Sequence, residues 1–293
     1  MTVPNKEKVK GVIVAAGYGT RFLPVTKTIP KELVPLVDRP AIDLLIEEFL
    51  EAGIDEVVLI SSRRRKALED YFDHEIELEW FLQSQNATGL LPSIQPPPMK
   101  VVTARQDEMR GTGHAILQAK SHAQDGPFVV AYPDDLFLGG ESFSKTLIKA
   151  YEATGKCVLG VVHAGAEIAR LSSIEYEGEK PPFRVKRIVE KPLPGTEPSH
   201  VASIGRYLFT PDLFDLLEEG WKRHTGQGEF YHIDAINALA ARDQLVAVFP
   251  EGKRLDMGVP ATYMEAFIEY ALYDPRWRPR MIEILRRVAE REL

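Results

Sequence analysis

Apolar positions along this chain follow two rhythms. A short, valine-rich run at 9–16 has the character of a buried parallel strand, and runs at 56–60, 99–104 and 128–132 read as further strands. Between the first two, Ile42, Leu45, Ile46, Phe49 and Leu50 recur at helical spacing over 41–52, and Gly53 suits the helix end. Residues 67–81 and 112–123 read as further helices. Strands alternating with helices imply an α/β fold whose mostly parallel sheet is covered on both faces. The stretch 85–98 holds prolines, a glycine and serines, and reads as an excursion or flap.

The second half is more mixed. Residues 157–163, 173–176, 185–189 and 202–209 look extended, whereas 211–219, 231–242, 261–273 and 278–292 look helical. The last helix carries Met281, Ile284, Leu285 and Val288 on one face, a stripe suited to packing or to a subunit contact. The expectation is one domain over 1–293, with its core at 8–275 and a terminal helix at 276–293 as a possible oligomer contact.

With 44% hydrophobic and 27% charged residues among 293, the chain suits a globular protein with a substantial core. No apolar run approaches the roughly 20 residues that span a bilayer. The lysines of residues 1–10 precede no apolar segment of signal-peptide kind, so the expected location is cytoplasmic. A formal net charge of −7 argues against nucleic acid or an anionic membrane as partner. The basic run 63–66 reads as a solvated helix start ahead of Glu69 and Asp70. Cys157, the only cysteine, lies in an apolar run and reads as a buried structural thiol.

The densest chemistry follows the first strand, in Ala15-Ala16-Gly17-Tyr18-Gly19-Thr20-Arg21. Glycines there let the backbone approach a ligand, and free amides can cradle phosphate oxygens. Arg21, Lys27 and Lys31 then concentrate cationic donors on one loop of an acidic protein, for which a triphosphate is a natural partner. A P-loop motif is absent, and Phe22 breaks the dinucleotide pattern Gly-x-Gly-x-x-Gly. Asp134 ends an apolar strand, at the sheet edge where open α/β folds bind ligands. Gln106, just past another strand, offers a donor and an acceptor to a base edge.

Gly17-x-Gly19-Thr20-Arg21 with Pro30-Lys31-Glu32 resembles the motif of the sugar-1-phosphate nucleotidyltransferases. The likeness continues through Arg105-Gln106, Gly113-His114-Ala115, Pro133-Asp134-Asp135, Glu190-Lys191-Pro192, Gly205-Arg206-Tyr207 and Asp234-Ala235-Ile236, over residues 8–275 in order. The resemblance implies a Rossmann-like three-layer αβα fold with a mixed, mainly parallel sheet, a small β-rich sugar-binding part and carboxy-terminal helices. It implies Mg²⁺ held by Asp134 and Asp256, with Arg21, Lys31 and Lys191 as catalytic cations. Ala15, Ala16, Gly17, Gly19, Thr20, Gln106 and Gly111 would bind the nucleotide, and Glu190, Ser172 and Gly205 the sugar. The implied reaction joins UTP to a sugar 1-phosphate, glucose 1-phosphate by default, in a dimer or tetramer.

The departures cluster on the sugar side. Leu171-Ser172 stands where Tyr-Gly is usual, and Tyr231-His232-Ile233 replaces Gln-Leu-Thr, while in the glycine loop of the base site Thr112 replaces a leucine. Another sugar phosphate, thymidine triphosphate, or a non-catalytic nucleotide-sugar binder are the alternatives at this point.

Overall fold

The computed structural model describes residues 8–292. Residues 1–7, most of the stretch judged to lack a signal peptide, and residue 293 lie outside them. β1 (Lys10–Val14) runs into short 3-10 turns at Thr20–Phe22, Val25–Lys27 and Lys31–Leu33. A small hairpin, β2 (Pro35–Leu36) and β3 (Arg39–Pro40), leads to α1 (Ile42–Glu51). Next come β4 (Glu56–Ser61), α2 (Lys66–Asp70), α3 (Ile76–Ser84), β5 (Lys100–Arg105), α4 (Thr112–Leu117) and α5 (Lys120–Ala123). β6 (Phe128–Ala131), β7 (Asp135–Leu138), α6 (Phe143–Thr154) and β8 (Cys157–His163) follow. β9 (Ser172–Glu177), β10 (Phe183–Glu190) and β11 (Val201–Phe209) form the next β-rich stretch. The chain closes with α7 (Asp212–Arg223), α8 (Ile233–Ala241), β12 (Leu245–Val248), β13 (Lys253–Asp256), α9 (Pro260–Tyr273) and α10 (Arg278–Glu292).

Nine strands make one sheet in the order β5-β4-β1-β6-β11-β8-β12-β10-β9. The ladders joining β5, β4, β1 and β6 are parallel, as is that between β8 and β12. β10 and β11 run against the rest, so every ladder they make is antiparallel. Alternation along β1 sends Val12 and Val14 to one core with α4, α7 and α8, and Ile13 to a second core with α1, α6 and α9. Burial on both faces explains why the runs of β1, β4 and β6 read as continuous valine and isoleucine, whereas β5 forms the sheet edge and buries none of its residues. Close packing is visible at Gly11, where a Cβ would lie 2.5 Å from a Phe49 ring carbon, so α1 rests directly on β1.

A buried ion pair ties the second core to the edge of the sheet where the site lies. Arg206 on β11, 1% exposed, donates from Nε and Nη2 to the two carboxylate oxygens of Glu48 on α1 at 2.9 and 2.8 Å. The same Nη2 reaches the Asp135 carbonyl at 3.0 Å, and the Ser144 amide donates to Glu48 at 3.0 Å. Away from the main sheet, β13 pairs antiparallel with β7 and sets Asp256 opposite Asp135.

Four details differ from the sequence reading, two of them for local reasons. The helix expected over 67–81 breaks at 71–75, where the Asp73 amide turns back to the Asp70 carbonyl at 3.1 Å. That over 112–123 divides at Gln118 and Ala119, whose amides take i−3 carbonyls. The excursion 85–98 contains a 3-10 segment, Thr88–Ser93. Arg65, expected to be solvated, is 3% exposed. Cys157 is buried; the Thr210 amide donates to its Sγ at 3.4 Å, and burial pushes the thiol up. Among the described residues no helix is long and apolar enough to cross a membrane.

Candidate active site

β1 and β4 are parallel neighbours, so the segments leaving their carboxyl ends lie side by side. That adjacency brings Arg65, just past β4, to the glycine loop just past β1. Its guanidinium donates to the Gly17 carbonyl and stands 3.6 Å from the Glu32 carboxylate, itself 1% exposed. Gly19 takes the left-handed conformation at φ 67°, and its carbonyl accepts from the Thr26 hydroxyl at 2.6 Å. The loop is thus pinned from both sides, and the Glu32 carboxyl is pushed up by burial against the opposing pull of Lys31 and Arg65.

Lys31 reaches from this loop to Asp134, past the end of β6, with Nζ 2.5 Å from Oδ2. Burial alone would lower the ammonium, but Asp134 and Glu32 outweigh it and hold it above the usual lysine value. Burial would likewise raise Asp134, yet the charge and hydrogen bond of Lys31 keep that carboxyl below its usual range, with Arg21 adding to the effect. The Asp134 carbonyl accepts from the Met257 amide at 2.8 Å, which fastens the Asp256 segment beside it. A Cβ at Gly258 would lie 2.9 Å from Asp256 Oδ1 and 3.6 Å from Arg21 Nη1, so Arg21 and Asp256 face the same space. Asp135 points elsewhere, holding Arg254 and the Gly205 amide.

A cavity of about 270 Å³ opens beside Lys31, lined by Gly17, Gln106 and Gly111 among others. Gln106, 4% exposed, donates from Nε2 to the Gly111 carbonyl at 3.1 Å. Its carbonyl oxygen is the end left to meet a ligand. Gly111 adopts φ 98°, and a Cβ there would fall 2.6 Å from the Phe230 carbonyl, so no other residue fits. Ala15 gives its amide to Ile60 at 2.9 Å, so any contact from it to a base is through its carbonyl. Ala16 is buried, whereas Thr20 and Arg21 are exposed on the loop.

Where the sugar side was expected, the antiparallel register of β9 and β10 sets Ser172 opposite Glu190, and the Ser172 hydroxyl donates to that carboxylate. Lys191 takes φ 43°; its ammonium is largely exposed and lies 3.5 Å from its neighbour Glu190. This group is separate from the cavity walls. Tyr132 sits between the two: its hydroxyl, pushed up first by burial, also feels Asp134 and Glu190. Gly205 makes room for that ring, since a Cβ there would be 3.0 Å from the Tyr132 Cβ. Two of the sequence departures meet here as well. Thr112 Oγ1 lies 2.8 Å from Nδ1 of the buried His232, whose pKa burial lowers to about 4.

Sequence reasoning read Arg65 only as part of a solvated basic run, and did not pick out Tyr18, Met109, Tyr132 and Glu229 as cavity walls. Position at the carboxyl end of a buried strand was a usable signal for Tyr132. For Arg65 no spacing rule applies, because its role depends on which strand lies beside β1.

A family model described as Nucleotidyl transferase matches residues 10–272, and the chain belongs to that family. UTP–glucose-1-phosphate uridylyltransferase 2 of Staphylococcus saprophyticus is 38% identical over 285 residues, covering 95% of this chain and 97% of the relative. A UTP-bound UGPase of Acinetobacter baumannii superposes with a TM-score of 0.84 at 31% identity, over 94% of this chain and 98% of that one. A UDP-glucose pyrophosphorylase complexed with UDP-glucose gives a TM-score of 0.79 at 34% identity, over 89% of this chain and 98% of that one.

Proposed function

We propose that this chain transfers the uridylyl group of UTP to glucose 1-phosphate, releasing pyrophosphate and forming UDP-glucose. The observation that carries the reading is the shared cavity, in which a base-reading amide, Gln106, and a phosphate cation, Lys31, line one space. The activities in the names of the relatives support the same substrates.

In this reading a phosphate oxygen of glucose 1-phosphate attacks the α-phosphorus of UTP in line. The new O–P bond forms as the bond from the α-phosphorus to the bridging oxygen breaks, and that oxygen leaves with pyrophosphate. Such transfer needs positioning and charge stabilisation rather than a covalent intermediate. Arg21 and Lys31 stabilise the departing pyrophosphate, while Lys191 orients the attacking phosphate and Glu190 accepts from sugar hydroxyls. The backbone of Gly17, Gly19 and Thr20 cradles the triphosphate, and Ala15, Ala16, Gln106 and Gly111 hold uracil. Ser172 and Gly205 shape the sugar side.

Asp134 and Asp256 fit Mg²⁺. Both present hard oxygens, and the Met257–Asp134 hydrogen bond holds their segments together. Among the described residues no group of three or more His, Cys, Asp or Glu could hold a metal, so two carboxylates would leave the other positions to phosphate oxygens and water, as Mg²⁺ favours. When bound, the ion would neutralise charge developing on the phosphates.

Helices on both faces of the sheet support a Rossmann-like three-layer description, in one catalytic domain over 8–275. The acidic composition and lone cysteine support a cytoplasmic location, and the exposed terminal helix supports a homo-oligomer. A panel of triphosphates against sugar 1-phosphates, scored by pyrophosphate release, tests the reading. UTP with glucose 1-phosphate gives the highest kcat/KM; no release from any pair would leave a nucleotide-sugar binder instead.

A further inference from the structure

Arg65 carries a buried charge that the proposed reaction does not use. Its neighbours Arg63 and Arg64 are exposed, whereas Arg65 itself is 3% exposed. Its backbone is fixed where α2 begins: the amide donates to the Ser62 carbonyl at 2.9 Å, and the carbonyl accepts from the Leu68 amide at 2.9 Å. Among the described residues the guanidinium makes one hydrogen bond, to the Gly17 carbonyl, and Glu32 stands 3.6 Å away as its countercharge. The Glu32 oxygens take no hydrogen bond there. Neither Arg65 nor Glu32 lines the cavity beside Lys31, so the pair acts from behind the glycine loop.

A trans peptide points its carbonyl and the following amide in opposite directions. Holding the Gly17 carbonyl back against Arg65 therefore turns the Tyr18 amide away from the guanidinium, and both Gly17 and Tyr18 line the cavity. The peptide two residues on repeats the arrangement. There the Thr26 hydroxyl donates to the Gly19 carbonyl at 2.6 Å, which turns the Thr20 amide outward. Among the described residues neither the Tyr18 nor the Thr20 amide donates to any acceptor. Free amides on a turn of this kind form a concavity for an anion. The peptide after Gly17 is also the easier one to turn over, because glycine has no side chain to oppose the rotation. Once turned, it would set a carbonyl oxygen against a phosphate.

We propose that Arg65 is a positioning residue for the triphosphate. By gripping the Gly17 carbonyl it aims the Tyr18 amide and sets the anion cradle before the nucleotide arrives. No peptide then has to turn as the ligand docks, and binding is tighter for it. The inference deepens the proposed function and rests on it for the identity of the ligand, UTP.

The test measures UTP affinity of full-length variants by titration calorimetry, with uridine affinity obtained by displacement and urea midpoints read alongside. Arg65→Met is expected to weaken UTP about tenfold or more, the change that loss of one hydrogen bond to a charged group allows, and to leave uridine within about twofold. Arg65→Met combined with Glu32→Gln removes opposite charges together, so no charge is stranded and the net charge behind the loop is unchanged. This double variant is expected to lose UTP as the single one does, because the Gly17 carbonyl is still released, and it decides the question if the single variant does not fold. Arg65→Lys keeps a donor and is expected within about threefold of wild type. Unchanged UTP affinity in Arg65→Met would overturn the proposal. So would wild-type affinity in the double variant, which would assign the effect to charge alone, uridine weakening in step with UTP, or a lysine that restores nothing. A wild-type chain that binds no UTP would overturn the proposed function as well.

Discussion

Replacing Lys31 with alanine tests the proposed chemistry most directly. The substitution removes an ammonium 2.5 Å from Asp134 and, in the proposed reaction, one of two loop cations on the leaving pyrophosphate. Loss of a single preorganised donor to a developing oxyanion costs about 2.7–4 kcal/mol, or 10²–10³ in kcat. The cost to folding is smaller. Lys31 and Asp134 keep 20% and 26% of their side-chain surface, so solvent screens the pair and its loss stays below the roughly 3–5 kcal/mol of a broken, fully buried pair. Glu32 retains Arg65 at 3.6 Å. A deficit of about 1–2 kcal/mol against a typical stability of about 5–15 kcal/mol leaves the protein folded. Lys31→Ala should therefore show a near-native urea midpoint and a kcat lowered at least a hundredfold, read by pyrophosphate release at saturating substrates. Combined with Asp134→Ala, the two losses should fall well short of multiplying, because the groups act as a unit. A variant turning over within threefold of wild type would refute the assignment.

Three further outcomes follow from geometry described above. Arg206→Ala strands the Glu48 carboxylate in the core and should cost about 3–5 kcal/mol in urea unfolding, because breaking one side of a buried pair leaves an uncompensated charge. His232 has a folded pKa of about 4 against about 6.5 unfolded, so the unfolded chain binds the extra proton between these values. The stability penalty from its protonation is absent above pH 6.5 and grows as pH drops towards 4, to about 3 kcal/mol in all; His232→Leu should flatten that part of the stability profile, and an unchanged slope would remove His232 as its source. Ser172→Ala frees the Glu190 carboxylate from its hydroxyl partner and should change the KM for glucose 1-phosphate by about fivefold or more, as loss of one hydrogen bond of about 1 kcal/mol allows, with KM for UTP unchanged.

The early strands and α1 were legible because burial on both faces, or on one stripe, writes directly into the order of apolar residues. The glycine loop was legible as an ordered string, two glycines directly after the first strand followed by Arg21, Lys27 and Lys31. α6 carried readable punctuation that the apolar pattern did not draw upon: the Ser142 hydroxyl accepts from the Lys145 amide, and Gly155 closes the helix at φ 67°. β7 and β13 are four residues each and carry Asp135, and Lys253, Arg254 and Asp256, so neither shows the apolar run that marks the equally short β6. The direction of β11 could not be read either, since Val201–Phe209 is buried on both sides whichever way it runs. Side-chain alliances across the fold were hidden for a different reason. Arg65 with Glu32, and Arg206 with Glu48, join positions 33 and 158 residues apart, and nothing in the local order of a charged residue tells whether its partner arrives.

The hydrogen bond from Met257 to Asp134 joins segments separated by more than a hundred residues. A ribosome must therefore finish almost the whole chain before the two carboxylates can meet. A nascent or truncated product could hold its glycine loop and first strands in place and still lack the second acid. In the proposed reaction, which needs both acids, turnover would then report completed folding, and a half-made chain would be unable to split nucleotide prematurely.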